Sequence, residues 1–362
     1  MSNNKIDTLW FTRCAGSGRG GVPTASGIAY RLGWLDDEFI NDGIQLRSLQ
    51  EDGNQSLRHH HYEHGLETLI REGGNLFAIP AKAQGAKTRL IGLTWIDEGQ
   101  SIIVRPDSDI RTPQQLKGKR LGLPAFRDAD IAENRRGRSI TRFGSLAGYK
   151  GALASAGLTL DDVTLVEIGS GNPAATGGDK FGGWQQSLQA LLDGKVDGVY
   201  VKGAAAADGA RKQGLTVGID LDKLPEKRFR VNNGTPRPIT VHEHFIENHF
   251  DVLVRFLTQT LRAAEWAKTN LSAVHEILQA ETGGTAEGVA AAYRDGFHQS
   301  LAPDLSAERV ALFRQQKDFQ LAYGILDRDF DYDAWIDPRP LEEAQRRLHD
   351  LSYAAGTQKR AA

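Results

Sequence analysis

Residues 110–123 read IRTPQQLKGKRLGL, and residues 191–199 read LLDGKVDGV. Both stretches have the same order: a helical piece, a glycine turn and a strand. Around them lie further units of that kind. Asp7 to Thr12 reads as a strand with Leu9 and Phe11 on one face. Gly16, Gly18, Gly20 and Gly21 come next as a loop. A helix is expected from Pro23, with Thr24 or Ser26 as cap and with Ile28, Leu32, Leu35 and Phe39 as one apolar stripe. Strands are expected over 44–49, 88–96, 100–104, 163–168 and 196–201, and helices over 63–72, 140–156 and 184–192. In the 63–72 helix, Leu66, Leu69 and Ile70 would face inward and Gly73-Gly74 would stop it. Strands alternating with helices call for mainly parallel sheets covered on both faces. From about residue 245 the chain turns helical, over 245–269, 271–280, 285–296 and 307–323. No internal repeat with a period of 20 to 50 residues stands out.

The bulk numbers narrow the function classes. A chain of 362 residues is long for one core and comfortable for two. Its net charge of −2 offers no broad basic field for nucleic acid or anionic lipid. The local cluster Arg135, Arg136, Arg138 and Arg142 reads as a solvated helix face or loop, with an anion-facing patch as its alternative. The first residues, MSNNKIDTLWFTRC, lack the basic start and apolar run of a secretory signal, and no stretch approaches a membrane span. The single cysteine, Cys14, excludes an internal disulfide and fits a reducing compartment. A cytoplasmic protein is expected.

The two opening stretches resemble the sulfonate, nitrate and taurine binding-protein superfamily. An LKGK-type segment enters the second lobe there, and a DGxVDA-type segment precedes the return crossing. The resemblance implies a two-lobed α/β fold of the type II periplasmic-binding-protein kind, each lobe a mixed, mainly parallel sheet flanked by helices. It places residues 1–103 and 205–362 in lobe one and 104–204 in lobe two, with a ligand cleft between them.

Closer to the N-terminus, Asp7 to Cys14, then His61, then Arg71-Glu72-Gly73-Gly74 resemble the desulfinase branch of that superfamily. That resemblance implies Cys14, His61 and Arg71 as catalytic residues, and Gly73, Gly74, Thr12, His64 and Leu146 as substrate-binding ones. The activity it implies is a cofactor-independent C–S lyase, a desulfinase-like hydrolase that releases sulfite from an organic, aromatic sulfinate. The glycine-rich segment 15–23 departs from the family's pattern, in which prolines follow the cysteine. The surroundings of Leu66 and Leu146 also depart from it.

The residue types suit that chemistry. A thiol donates a proton or, as thiolate, attacks. Arg71 offers paired planar donors for two sulfinate oxygens. Backbone amides at Gly73 and Gly74 would add hydrogen bonds to the developing charge, and His61 would tune Cys14 or orient the substrate. No metal or organic cofactor is called for.

Other readings remain at this point. A cysteine at a strand end is often a small buried apolar residue, and Arg71 would also suit a helix C-terminus. Arg13 is expected on the strand face opposite Cys14, with little effect on its thiol. His60 and His64, four apart, raise a metal site without a matching motif. His242, His244 and His249 read as surface and cap residues. The loop 16–21 lacks the ending of a phosphate loop, and a lid or an anion nest suits it better. The partner expected is a small organosulfur anion, with no nucleic acid and no membrane, and a monomer is the default for this fold. The competing function is a non-catalytic transporter-type substrate-binding protein for a sulfonate or other small organic anion. A thiamine-pyrimidine synthase of the same fold would need a cysteine-rich motif that one cysteine cannot supply.

Overall fold

The structure is a computed structural model that describes residues 6–13, 24–169, 184–294 and 296–361. Cys14 and the glycine-rich loop 16–21 lie outside the described residues. Among those described, two five-stranded sheets carry the fold. The first holds β1 (Thr8–Arg13), β2 (Gln45–Ser48), β3 (Leu69–Glu72), β4 (Thr88–Thr94) and β10 (Arg237–His242), in the order β2-β1-β3-β10-β4. The second holds β5 (Ser101–Val104), β6 (Arg120–Pro124), β7 (Thr164–Ile168), β8 (Gly198–Val201) and β9 (Thr216–Asp220), in the order β7-β6-β8-β5-β9.

The two sheets repeat one plan. In each, three strands run parallel with the earliest in the middle of the three, β1 in the first sheet and β6 in the second. In each, one antiparallel strand is inserted from elsewhere in the chain: β10 between β3 and β4, and β5 between β8 and β9. The chain therefore crosses between sheets twice, over residues 95–100 and 221–236. A buried ionic contact sits at these crossings. Glu98 pairs with Arg237 at the start of β10, and Lys202 Nζ, just after β8, lies 2.8 Å from Glu98. The second sheet thus draws on chain at both ends beyond the expected 104–204. β5 and β9 join it because the β5 backbone pairs with β8 and β9 rather than with β4.

Each sheet has its own core. Leu9 and Phe11 of β1, Ile70, Ile91, Ile239 and the inner face of the helix Glu243–Ala267 form the first. Ile102, Leu121, Tyr149, Leu188 and Val199 anchor the second. A third apolar cluster joins the two halves: Leu76 with Phe77 on one side, and Leu123, Phe126, Phe143 and Leu146 on the other.

Three expected helices differ in the structure. The stripe from Ile28 to Phe39 is two helices, Ala25–Arg31 and Trp34–Phe39, broken at Gly33 with φ 77°. That left-handed conformation suits glycine and ends a helix. The helix expected over 63–72 is instead a short helix, His60–Glu63, followed by β3. His64 takes φ 56° and closes the helix, and Leu69–Glu72 pairs with β1 and β10 on its two edges. All four residues of β3, the charged Arg71 and Glu72 included, are buried, so no exposed face creates a strand alternation. The last stretch of the expected 285–296 helix is likewise absent, since the helix there is Ala286–Ala292.

Candidate functional site

β1 and β3 lie side by side, and their register places Thr12 opposite Arg71. Beyond β3 the chain turns through Gly73 and Gly74 into the helix Asn75–Ala83, for which Gly74 is the N-cap. The short helix His60–Glu63 lies over this turn. These four pieces bring His61, Arg71, Thr12 and the glycine pair together.

Arg71 is fully buried and holds three groups. Its Nε donates to the His61 carbonyl oxygen at 2.6 Å, its Nη2 donates to the Gly74 carbonyl oxygen at 2.8 Å, and Nη2 also lies 3.4 Å from His61 Nε2. A guanidinium only donates, so His61 Nε2 is the acceptor and the ring proton sits on Nδ1. That proton points to Thr12 Oγ1, 2.9 Å away. Burial holds the His61 pKa well below the ordinary histidine value, and the cations Arg71 and Arg237 and the neighbouring His64 push the same way. His61 is therefore a neutral imidazole with its lone pair on the Arg71 side.

The glycines are sterically required. A Cβ on Gly73 would lie 2.6 Å from His61 Cε1 and 3.0 Å from Arg71 Nη2. A Cβ on Gly74 would lie 2.4 Å from Asn233 Oδ1. The backbone can approach the ring and the Asn233 side chain this closely only without side chains of its own. One of the two expected amides is engaged within the sheet. The Gly73 N–H extends the β10 ladder to the Pro238 carbonyl oxygen at 3.3 Å. Past Gly74, the amides of Asn75 and Leu76 go to the Asn233 backbone and side-chain oxygens at 2.7 and 3.0 Å.

The remaining expected residues divide. Leu146 belongs to the apolar cluster between the halves. His64 is buried, but its Nε2 donates to the Thr240 carbonyl oxygen at 3.1 Å, which ties it to β10. Burial pushes its pKa down to about 3. His60 and His64 do not share a helical face, because His64 is the left-handed cap. His242 caps the helix Glu243–Ala267, its Nδ1 accepting from the His244 amide at 3.2 Å. The arginine cluster is largely paired: Arg135 with Glu63 and Glu133, Arg138 with Glu133, and Arg142 with Glu167. Arg13 is buried against Glu281 and Glu51.

Several neighbours were not visible in the sequence. Phe77 packs edge-on to His61 with ring centroids 5.4 Å apart, and Tyr62 lies at the same distance from Phe77. Asn75 and Asn232 link the halves: Asn75 Nδ2 donates to the Asn232 carbonyl oxygen at 2.8 Å, and Asn232 Nδ2 donates to the Gly144 carbonyl oxygen at 3.0 Å. The turn-like Asn232-Asn233-Gly234-Thr235-Pro236 run was the available signal.

No family model matches the chain. The sequence is 27% identical to 2'-hydroxybiphenyl-2-sulfinate desulfinase of Rhodococcus erythropolis, over 94% of both chains. Among solved structures, a cysteine-to-serine mutant of DSZB in complex with biphenyl-2-sulfinic acid superposes with a TM-score of 0.72 at 23% identity, covering 95% of this chain and 100% of that one. The periplasmic aliphatic sulphonate binding protein SsuA of Escherichia coli superposes with a TM-score of 0.62 at 17% identity, over 92% of both chains. The expected likeness to the desulfinase branch, and the binding-protein-like fold with two helix-flanked sheets, are both borne out. No helix among the described residues is long and apolar enough to cross a membrane.

Proposed function

We propose that this relative of the desulfinases is a cofactor-independent C–S lyase that releases sulfite from an aromatic sulfinate. The observation that carries this reading is the convergence of a buried guanidinium, a neutral imidazole and a glycine turn, with Arg71 Nη2 2.8 Å from the Gly74 carbonyl oxygen and 3.4 Å from His61 Nε2. Arg71 is a buried, permanently charged donor of the kind a sulfinate needs. The aromatic part of the substrate would lie against Tyr62, Phe77, Phe126, Phe143 and Leu146, contributed by both halves. The two sheets would then act as lobes that close on the ligand.

In this reading Cys14, which follows Arg13 in the chain, supplies the proton. A neutral His61 is a weak acid, so it serves to orient and to accept. Protonation occurs at the ring carbon that bears sulfur. The C–S bond breaks, its electron pair forms the new C–H bond, and sulfur leaves as SO2. Water adds to SO2 to give bisulfite and returns the proton, so the net reaction is a hydrolysis. Thr12, Gly73, Gly74 and His64 stay in the proposal as groups around the substrate. Of these, Gly73 and His64 act by shape and support, since the Gly73 amide and the His64 Nε2 are engaged with β10. A reducing, cytoplasmic setting keeps such a thiol active, and the chain is taken to work as a monomer.

The test is sulfite release from a panel of aryl and alkyl sulfinates, repeated with Cys14→Ser. Aryl-selective sulfite release that Cys14→Ser abolishes is the expected result. Tight sulfinate or sulfonate binding with no sulfite from any substrate would make the protein a binding protein instead. Equal turnover by Cys14→Ser would remove the thiol from the mechanism.

A further inference from the structure

Gln50 lies just beyond β2 and is 3% exposed. Its side chain joins two buried networks. Its Oε1 accepts from Ser48 Oγ at 3.0 Å, and its Nε2 donates to Thr12 Oγ1. Ser48 Oγ in turn accepts from Arg13 Nη1 at 2.9 Å, and Arg13 Nε donates to Glu281 at 2.7 Å. On the other side of Thr12 stand His61 and Arg71.

Both ends of this chain are guanidinium groups, which fixes the two outer bonds, and the Gln50 amide orientation sets the inner ones. Arg13 can only donate, so Ser48 Oγ accepts from it, and Ser48 Oγ donates to Gln50 Oε1. The Gln50 amide stands with its NH2 toward Thr12. From the other end, Arg71 donates to His61 Nε2, so the His61 proton is on Nδ1 and also points to Thr12 Oγ1. A hydroxyl has two lone pairs and one proton. Both lone pairs of Thr12 Oγ1 are taken, one by Gln50 and one by His61. Thr12 can then meet anything further only as an O–H donor.

We propose that Gln50 is a positioning residue of this site: through Thr12 it secures, on the Nδ1 side, the His61 tautomer that Arg71 favours on the Nε2 side, and it commits the Thr12 hydroxyl to donate to an acceptor oxygen of an anionic ligand. The ligand half of this inference rests on the sulfinate reading, and the His61 half does not. It also gives a specificity. A sulfinate or sulfonate oxygen satisfies the Thr12 O–H, whereas a ligand that presents its own N–H or O–H at that point meets a second donor.

Among the described residues, the charged and titratable groups that face His61 are Arg71 from β3, Arg237 from β10 and His64 beyond its own helix. Neither nitrogen of the ring is bonded to a carboxylate. Gln50→Glu would put one on the far side of Thr12. The Thr12 proton would then turn to that carboxylate, the hydroxyl would be lost as a ligand donor, and the carboxylate would favour a protonated His61.

The experiment uses the full-length protein, 15N-labelled, with His61 assigned by comparison with His61→Gln. Long-range proton–nitrogen spectra read which ring nitrogen carries the proton, and a pH titration reads its midpoint. Calorimetry reads the affinity for benzenesulfinate. Wild type is expected to show Nδ1 protonated. Gln50→Leu leaves Arg71 as the single remaining constraint and should shift part of the ring population to the Nε2–H form, and Gln50→Glu should move the His61 midpoint upward. Both should weaken benzenesulfinate binding roughly tenfold or more, the range for loss of a hydrogen bond to a charged group. Should Gln50→Leu fail to fold, the near-isosteric Gln50→Glu decides alone. A wild-type ring protonated on Nε2, or His61 signals unmoved by the variants that fold, would overturn the proposal. So would unchanged benzenesulfinate affinity in those variants. Benzenesulfinate that binds with the expected variant effects but yields no sulfite would count against the lyase reading and leave the role of Gln50 standing.

Discussion

Arg71 grips His61 at both ends of the residue: its Nε donates to the His61 carbonyl oxygen at 2.6 Å, and its Nη2 faces the ring Nε2 at 3.4 Å. One cation therefore fixes both the backbone of the short helix and the charge state of the imidazole it carries. The arrangement depends on β3 being a strand, because the strand register sets Arg71 across from Thr12, where the other ring nitrogen of His61 ends.

The buried histidines make stability depend on pH. His61 and His64 are both held below the ordinary histidine value by burial, His64 down to about 3. The unfolded chain protonates both near pH ~6.5, and the folded protein does not until far lower. Below that value the unfolded state binds more protons, so the stability each group contributes is present above pH ~6.5 and is lost as pH falls. Carboxylates titrate in the same range, so the difference between wild type and His64→Gln isolates one group. Urea unfolding should show wild type losing about 1.4 kcal/mol per pH unit relative to His64→Gln between about pH 6 and 4. A difference that stays constant across that range would rule out a neutral, buried His64.

Glu72 has the opposite sign. It is buried on β3 next to Arg71 in sequence, accepts from Ser26 Oγ and lies 3.5 Å from Thr94 Oγ1. Burial raises its pKa above the usual carboxylate value. The folded state then holds a proton that the unfolded state has released, and this contribution is lost as pH rises through the folded value. Glu72→Gln removes the ionisation and keeps an oxygen for Ser26. The variant should melt higher than wild type at pH 8 and gain nothing at pH 5. Equal melting shifts at both pH values would mean that the charge of Glu72 is already compensated.

Gly74→Ala tests the close approach of the turn to Asn233. The new Cβ would lie 2.4 Å from Asn233 Oδ1, the oxygen that accepts from the Leu76 amide at the start of the helix. Asn233 must move and that cap is lost. A cost of about 1–3 kcal/mol is expected in chemical unfolding. Asn233→Gly in the same chain removes the clash, so the double variant should recover part of the loss. Strict additivity of the two single effects would show that the residues do not collide.

Elements were legible in the sequence where local pattern and tertiary structure agree. β1 with Leu9 and Phe11 inward, β6, β7, β8 and the helix Ile140–Ser155 all lie within a residue or two of expectation. β3 was not legible, because a four-residue strand buried on both faces shows no inside–outside alternation, and its Arg71 and Glu72 read as the polar end of a helix. At the site, His61, Arg71 and Gly73-Gly74 were legible through resemblance, and the structure gives the steric reason for both glycines. Gln50, Asn75 and Asn233 were not legible. Their roles come from hydrogen bonds to residues 38, 157 and 158 positions away in the chain, and no spacing rule encodes those.

Arg71→Lys separates charge from geometry at the centre of the site. Lysine keeps the positive charge, but its ammonium cannot occupy the Nε and Nη2 positions together. In wild type those two atoms reach the His61 carbonyl oxygen at 2.6 Å and the Gly74 carbonyl oxygen at 2.8 Å. One of these oxygens would lose its partner, and the planar fork that holds the His61 helix and the glycine turn together would be gone. If Arg71 stabilises charge as the C–S bond breaks, sulfite release should fall about 10²–10³-fold in kcat, the range for losing an aimed donor in an excluded site. The His61 tautomer should also loosen, since the ring nitrogen loses the donor that fixed it. A variant that raises KM while leaving kcat intact would restrict Arg71 to ground-state binding. A variant with full kcat/KM and an unchanged His61 spectrum would remove Arg71 from the active machinery.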